Sequence, residues 1–167
     1  GGRVLAEGTE TKPIHFTRAP GATGNGGTIT INGVPGVGET RFRHVFFNFG
    51  GDPAVACEAN SNVVLDYCEW LRNDVAYLDL NGGSYVVSNC IFPTAAPGAL
   101  FEAIHGFGAA PPGGRAIIRD SFFGKVHGYN DVVDITGGNR PGPLLQIYNN
   151  VFIGGDDDLL DIDGTDA

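Results

Sequence analysis

Apolar residues in this chain occur in short runs of four to seven, separated by turns rich in Gly, Asn and Asp. The runs contain many Val, Ile and Phe residues and alternate in places between apolar and polar positions, as β-strands do. No 12-residue window keeps the i, i+3, i+4, i+7 spacing of an amphipathic helix. The pattern predicts an all-β chain of many short strands.

One kind of run ends in an aromatic residue and recurs at intervals of 22 to 31 residues. A second run follows each of these, so that one period contains two predicted strands. A coil of this length buries its inward face only against neighbouring coils, which is the logic of a solenoid. The aromatics are therefore predicted to stack inward, one per coil, as Phe47, Trp70, Phe92, Phe123 and Phe152.

The aromatic-terminated run 147–152 and the tail 158–164 resemble the repeats of right-handed parallel β-helix proteins, the pectate-lyase-like superfamily. This resemblance implies a right-handed parallel β-helix and an extracellular or periplasmic location. We expect one domain over residues 1–167 with about six coils, the first looser (1–38) and the others regular (39–167). The superfamily includes lyases, hydrolases, adhesins and shafts. The chain has neither the Arg-x-Pro-x-x-Arg nor the Trp-Ile-Asp-His motif of classical pectate lyases.

The composition of the chain limits the fold classes and the kinds of binding partner to consider. Glycine and proline together number 37 of 167 residues without a triplet period, and 42% of residues are hydrophobic, so neither collagen nor a disordered chain is indicated. The net charge of −9 disfavours nucleic acid and anionic membranes as partners. No apolar stretch approaches the roughly 20 residues of a membrane span. Cations and neutral polar ligands fit this charge better.

The three cysteines lack Cys-x-x-Cys spacing, so no zinc site is indicated. Cys68 and Cys90 occupy the same position in successive repeats. Stacked side chains there point in parallel directions, which suits the dihedral angle of a disulfide poorly. Reduced, buried thiols are predicted.

Acidic residues recur in the second run of each period. We expect them to form one outward column, made of Glu58, Asp79, Glu102, Asp134 and Asp161. Two interpretations are open: a solvated acidic face, or a column neutralised by a hard cation such as Ca²⁺, which prefers six to eight oxygen ligands. The predicted calcium ligands are Asp131, Asp134, Asp158, Asp161 and Asp163.

Catalysis by this column is a further hypothesis. Carboxylates on neighbouring or next-neighbouring coils would be separated by the two distances at which glycosidases hold their pair of catalytic carboxylates. A β-eliminating lyase would instead need a base beside a cation, and Lys125 or His127 in the turn before Asp131 are the candidates, with His105 a weaker one. The alternative is that Lys125 and His127 are solvent-exposed side chains of a turn and have no catalytic role.

Extra residues fall on the same turn of several coils, at 32–38, 105–114 and 137–143. Loops on one edge of a solenoid often wall a binding groove, although surface loops also tolerate insertion at little cost. The groove hypothesis places Phe107 and Arg140 at a sugar ring and a carboxylate, beside Glu102 and Asp79.

These observations favour a secreted structural or binding module with an acidic, calcium-binding face, acting in assembly or carbohydrate contact. The alternative is a polysaccharide lyase or hydrolase acting on acidic polysaccharide, so enzymatic activity stays open. Because the open ends of a solenoid expose strand edges, we also expect end-to-end self-association or continuation into a longer β-helix.

Overall fold

The computed structural model describes residues 2–72 and 74–167, which contain 18 strands and no helix. The first nine strands are β1 Leu5–Glu7, β2 Ile14–Phe16, β3 Ile29–Gly33, β4 Thr40–Arg43, β5 Val45–Phe47, β6 Val55–Asn60, β7 Asn62–Asp66, β8 Glu69–Trp70 and β9 Leu78–Leu80. The remainder are β10 Ser84–Ser88, β11 Ile91–Phe92, β12 Ile104–Phe107, β13 Ala116–Arg119, β14 Phe122–Phe123, β15 Val133–Thr136, β16 Leu145–Tyr148, β17 Val151–Phe152 and β18 Leu160–Asp161.

The strands form a parallel β-solenoid with three parallel sheets of six strands each. Sheet 1 has the order β1-β4-β7-β10-β13-β16, sheet 2 the order β2-β5-β8-β11-β14-β17, and sheet 3 the order β3-β6-β9-β12-β15-β18. The predicted all-β solenoid is confirmed, with about five turns instead of six. The prediction of two strands per period is wrong, because each turn of the described chain has three.

The missed strand boundary is a short corner inside each aromatic-terminated run, one residue long between β4 and β5 and two residues long in the later turns. Between sheet 1 and sheet 2 one residue turns the chain through a left-handed backbone conformation, with φ between 47° and 56°. Asn and Asp tolerate this conformation better than most residues, and they fill three of the five corners. The corner residues are His44, Tyr67, Asn89, Asp120 and Asn149.

Aromatic side chains stack through the interior behind sheet 2, as predicted. Phe123 lies parallel to both neighbours, with ring centroids 4.6 Å from Phe92 and 4.9 Å from Phe152. Trp70 stacks on the other side of Phe92 at 4.4 Å. The column continues through Phe47 to Phe16 in the first turn. Such stacks add pairwise contacts to the large apolar area that each ring buries.

The cysteines are free and buried, which confirms the predicted reduced thiols. Cys68 and Cys90 each direct Sγ toward backbone carbonyl oxygens, at 3.4 Å for Phe42 and 3.2 Å for Ser88. Burial raises the pKa of Cys57 to about 12. All three thiols therefore belong to the core.

Within the described ranges, no helix has the length and apolarity to cross a membrane. The outer strands are β1–β3 at one end of the sheets and β16–β18 at the other. End-to-end association through these strands stays a prediction.

Candidate functional site

The outward face of sheet 3 carries the predicted acidic column, with a different membership. Asp134 pairs in register with Asp161, as expected. His105, and not an acid, is the register partner of both Asp79 and Asp134. Ala56 is the partner of Asp79 on the other side. The column is Ala56, Asp79, His105, Asp134 and Asp161, so the prediction of five stacked acids is wrong.

Glu58 and Glu102 fall outside this column for different reasons. Glu58 is two residues beyond Ala56 along β6. Glu102 precedes β12 and lies between buried Phe101 and buried Ala103, an alternation that resembles a strand in the sequence. The strand begins only at Ile104, where Gly106 takes the inward position that Leu80 and Ile135 occupy in adjacent strands.

A second outward row begins two residues further along the strands and contains an exposed aromatic ring. Phe107 is 66% exposed and pairs in register with Thr136. It borders a shallow cavity of about 490 Å³ together with Glu58, Asn81 and Pro111. An apolar ring thus stands in a polar, acidic face.

Asp79 is a half-buried carboxylate of this face with a raised pKa. Burial is the main reason that its pKa is raised; His105, whose Nδ1 lies 4.0 Å from its Oδ1, opposes the shift, and the charge of Glu58 adds to it. Glu102 raises it further, so this predicted groove residue lies close enough to act through its charge. An acid with a raised pKa beside a histidine has the means to hold or transfer a proton.

Lys125 and His127 lie in the connection between β14 and β15, beside Asp156 of the next turn. Lys125 Nζ is 2.5 Å from Asp156 Oδ1, and His127 Nδ1 is 3.4 Å from Asp156 Oδ2. The hydrogen bond from Lys125, followed by that from the Gly128 backbone amide, lowers the pKa of Asp156 to about 2. Lys125 is therefore engaged in an ion pair, a geometry unlike that of a free base. The catalytic role of both residues stays a prediction.

The predicted calcium ligands divide into two neighbouring groups. Asp131 and Asp158 come together, and Asp157, which sequence reasoning left out, joins them, with one oxygen of each within 4.8 Å of the others. Asp131 Oδ1 accepts a hydrogen bond from the Asp158 amide. Partial burial raises the pKa of Asp131; that hydrogen bond opposes the shift, and the charge of Asp157 adds to it.

The second group of predicted ligands lies on β15, on β18 and just after β18. Asp134 and Asp161 are register neighbours, and Asp161 Oδ1 accepts a hydrogen bond from the Asp163 amide. Thr136 donates to Asp134 Oδ1 at 3.1 Å. The run of three acids at 156–158 was the sequence signal for the third member of the first group.

The loops that connect sheet 3 to sheet 1 lie on the predicted edge. The middle loop begins only at Gly108, because residues 104–107 form β12. Its Pro111 borders the Phe107 cavity. Arg140, in the following loop, instead pairs with Asp166: its amide and its Nε lie 3.0 and 3.5 Å from Oδ2. Arg140 does not line the Phe107 cavity.

Comparison of the chain with protein-family models, curated proteins and solved structures gives no match. The parallel β-solenoid with its three sheets is therefore the level at which the chain is classified.

Proposed function

We propose that the chain is a binding module that contacts a neutral polysaccharide with the outward face of sheet 3. The observation that carries this proposal is Phe107, whose exposed ring lies among hydrogen-bonding side chains on a rigid strand. A sugar ring presents an apolar face to an aromatic ring and hydroxyl groups to the polar groups around it. The face offers both kinds of contact.

The charge of the face favours a neutral polymer. Glu58, Asp79, Asp134 and Asp161 are all acidic, and the whole chain has a net charge of −9. Carboxylates accept hydrogen bonds from sugar hydroxyls and repel uronate groups. Neighbouring parallel strands are about 4.8 Å apart. A polymer that lies across them would therefore contact side chains of several successive strands. Secretion of this module rests on the resemblance to β-helix proteins of the pectate-lyase-like superfamily.

Affinity electrophoresis in gels containing soluble polysaccharides tests this proposal. A neutral glucan, a neutral mannan and a polyuronate would be compared, each against a gel without polymer. We expect retardation by at least one neutral polymer and none by the polyuronate in the absence of divalent cations. Phe107→Ala should abolish the retardation.

Tyr148→Ala is the matched control, since Tyr148 is an exposed aromatic of sheet 1, on another face. Its retardation should equal that of the unmodified chain. Unchanged retardation of Phe107→Ala, or equal loss in both variants, would reject the sheet 3 face as the binding surface.

A polysaccharide hydrolase or lyase is the second candidate function. Asp79, with its raised pKa, favours it, because hydrolysis of a glycosidic bond needs a protonated acid opposite an ionised carboxylate. Asp134 is two strand spacings away in the same column, about 9.6 Å by the strand repeat. New reducing ends that disappear in both Asp79→Asn and Asp134→Asn would support hydrolysis. Unsaturated products from a polyuronate, lost in Lys125→Ala, would support elimination.

A calcium ion held by the Asp131 group is a further proposal. It would neutralise the carboxylates that crowd between two turns, and it requires no enzymatic activity.

A further inference from the structure

A second concave site lies on the opposite side of the solenoid from the Phe107 face, at the corner between sheets 1 and 2. Its cavity measures about 590 Å³, within the usual range for small-molecule pockets. The floor comes from successive corners and from outward positions of sheet 2. It is formed by His44, Tyr67, Asn89, Phe46, Glu69 and Ile91.

A short hairpin closes one side of this cavity. In the first turn the short corner is replaced by residues 8–13, where Thr9 and Lys12 exchange backbone hydrogen bonds of 3.1 and 3.0 Å. Gly8 and Ile14 anchor the hairpin, donating to carbonyl oxygens of the next turn. The wall is therefore held at both ends, and it places Glu10 at the cavity.

Three aromatic rings contribute to the floor, those of His44, Phe46 and Tyr67. The His44 ring stacks on Tyr67 with centroids 4.9 Å apart and an interplanar angle of 14°. Arg43 also lies over the Tyr67 ring, with Cζ 5.9 Å from its centroid, so a ligand would contact the part of the ring that these two neighbours leave exposed, 46% of the residue being accessible. Phe46 is held edge-on by His15, with centroids 5.1 Å apart.

The charge of the cavity is negative. Within residues 2–72 and 74–167, neither Glu10 nor Glu69 takes part in an ion pair. Arg43 also lines the cavity, but its charge is balanced by Asp66, 3.5 Å away. Two unmatched carboxylates beside exposed aromatic rings form an environment that favours an organic cation.

We propose that this cavity binds an amino sugar, with its ammonium group between the two glutamates and its ring on Tyr67. The volume exceeds that of a simple alkylammonium ion, and Asn89 on the floor and Thr9 in the hairpin offer polar atoms for hydroxyl groups. The site is independent of the Phe107 face and goes beyond the proposed contact with a neutral polymer.

Titration calorimetry at about pH 6 and low salt, where the amine is protonated, tests the site. The probes are D-glucosamine, D-glucose and N-acetyl-D-glucosamine, which differ mainly in charge at one position. We expect glucosamine to bind at least tenfold more tightly than either neutral sugar. Glu69→Gln should remove this preference. Equal affinity for the three sugars, or no binding of glucosamine, would overturn the proposal.

Two further variants separate binding from folding. Tyr67→Asn removes the ring but keeps a residue that occupies the same left-handed corner at Asn89 and Asn149, so the fold should persist while glucosamine affinity falls at least tenfold. Phe107→Ala should leave glucosamine affinity unchanged. Undiminished affinity in Tyr67→Asn would reject this cavity as the site.

Discussion

The ring of Phe92 lies almost parallel to the ring of Phe123 in the next turn, with centroids 4.6 Å apart and an interplanar angle of 4°. Both side chains are fully buried, and their strands are paired in register. The same inward position of sheet 2 thus holds an aromatic ring in successive turns, so each ring packs against the rings on both sides of it. Removing one ring from the middle leaves a gap that the paired backbone prevents from closing.

Phe123→Ala should therefore destabilise the fold strongly. Loss of a buried phenylalanine side chain costs about 3–5 kcal/mol when the cavity does not collapse. Urea denaturation followed by circular dichroism measures the change in the free energy of unfolding.

Phe122→Ala is the matched control for that variant. Phe122 precedes Phe123 in β14 but points outward and is 40% exposed. We expect it to cost less than about 1.5 kcal/mol. Equal losses in the two variants would contradict the inward stack as a main source of stability.

The left-handed corner at Asn89 gives a second prediction. Its φ is 53°, and its Nδ2 donates to Asp66 Oδ1 at 2.8 Å. Asn89→Gly loses the hydrogen bond, worth about 1 kcal/mol, but accepts the backbone conformation. Asn89→Ala loses the same bond and adds about 1–2 kcal/mol of backbone strain. In thermal unfolding, the melting temperature of Asn89→Ala should be lower than that of Asn89→Gly. The reverse order would contradict the left-handed backbone conformation at residue 89.

These corners also show how much of the fold was accessible from the sequence. The aromatic period predicts the solenoid because burial constrains every closing ring, from Phe47 to Phe152. A corner that points outward is not required to be apolar, so residues as different as His44, Tyr67 and Asn149 occupy it. The third strand was missed because its boundary depends on backbone dihedral angles and not on side-chain burial.

The site was harder to predict than the fold because its geometry depends on register across connections of unequal length. Asp134 and Asp161 follow similar connections, and their pairing was predicted. Glu102 lies inside the longer connection between β11 and β12, and its strand-like surroundings gave the wrong register. The cavity between Glu10 and Glu69 joins residues of different turns, and no local motif indicates it.

The raised pKa of Asp79 predicts how the stability of the fold depends on pH. Because burial raises its pKa in the folded state, the folded chain binds this proton more tightly than the unfolded chain. This carboxyl therefore favours folding most at low pH, and the contribution is lost as pH rises through the folded-state pKa. Asp79→Asn stays neutral throughout and should be at least as stable as the unmodified chain at pH 7.

Urea denaturation of both proteins between about pH 4 and pH 8 measures this difference. We expect the stability advantage of Asp79→Asn to be less than about 1 kcal/mol at pH 7 and to shrink as the pH falls. Asp163→Asn removes one charge from the same face and controls for a general electrostatic effect. An advantage of Asp79→Asn that grew toward low pH would contradict the raised pKa.

The carboxylates of Asp131, Asp157 and Asp158 predict stabilisation by calcium. Their oxygens lie within 4.8 Å of one another, a spacing at which like charges repel unless a cation lies between them. Metal-free protein titrated with Ca²⁺ should show heat of binding and a rise in melting temperature that follows mass action. Asp131→Asn and Asp157→Asn should each weaken binding at least tenfold, whereas Asp74→Asn, which removes a carboxylate paired with Arg72, should not. If Ca²⁺ produces neither heat nor a shift in melting temperature, these three residues form a solvated acidic cluster, and the proposal of a calcium ion at this site is rejected.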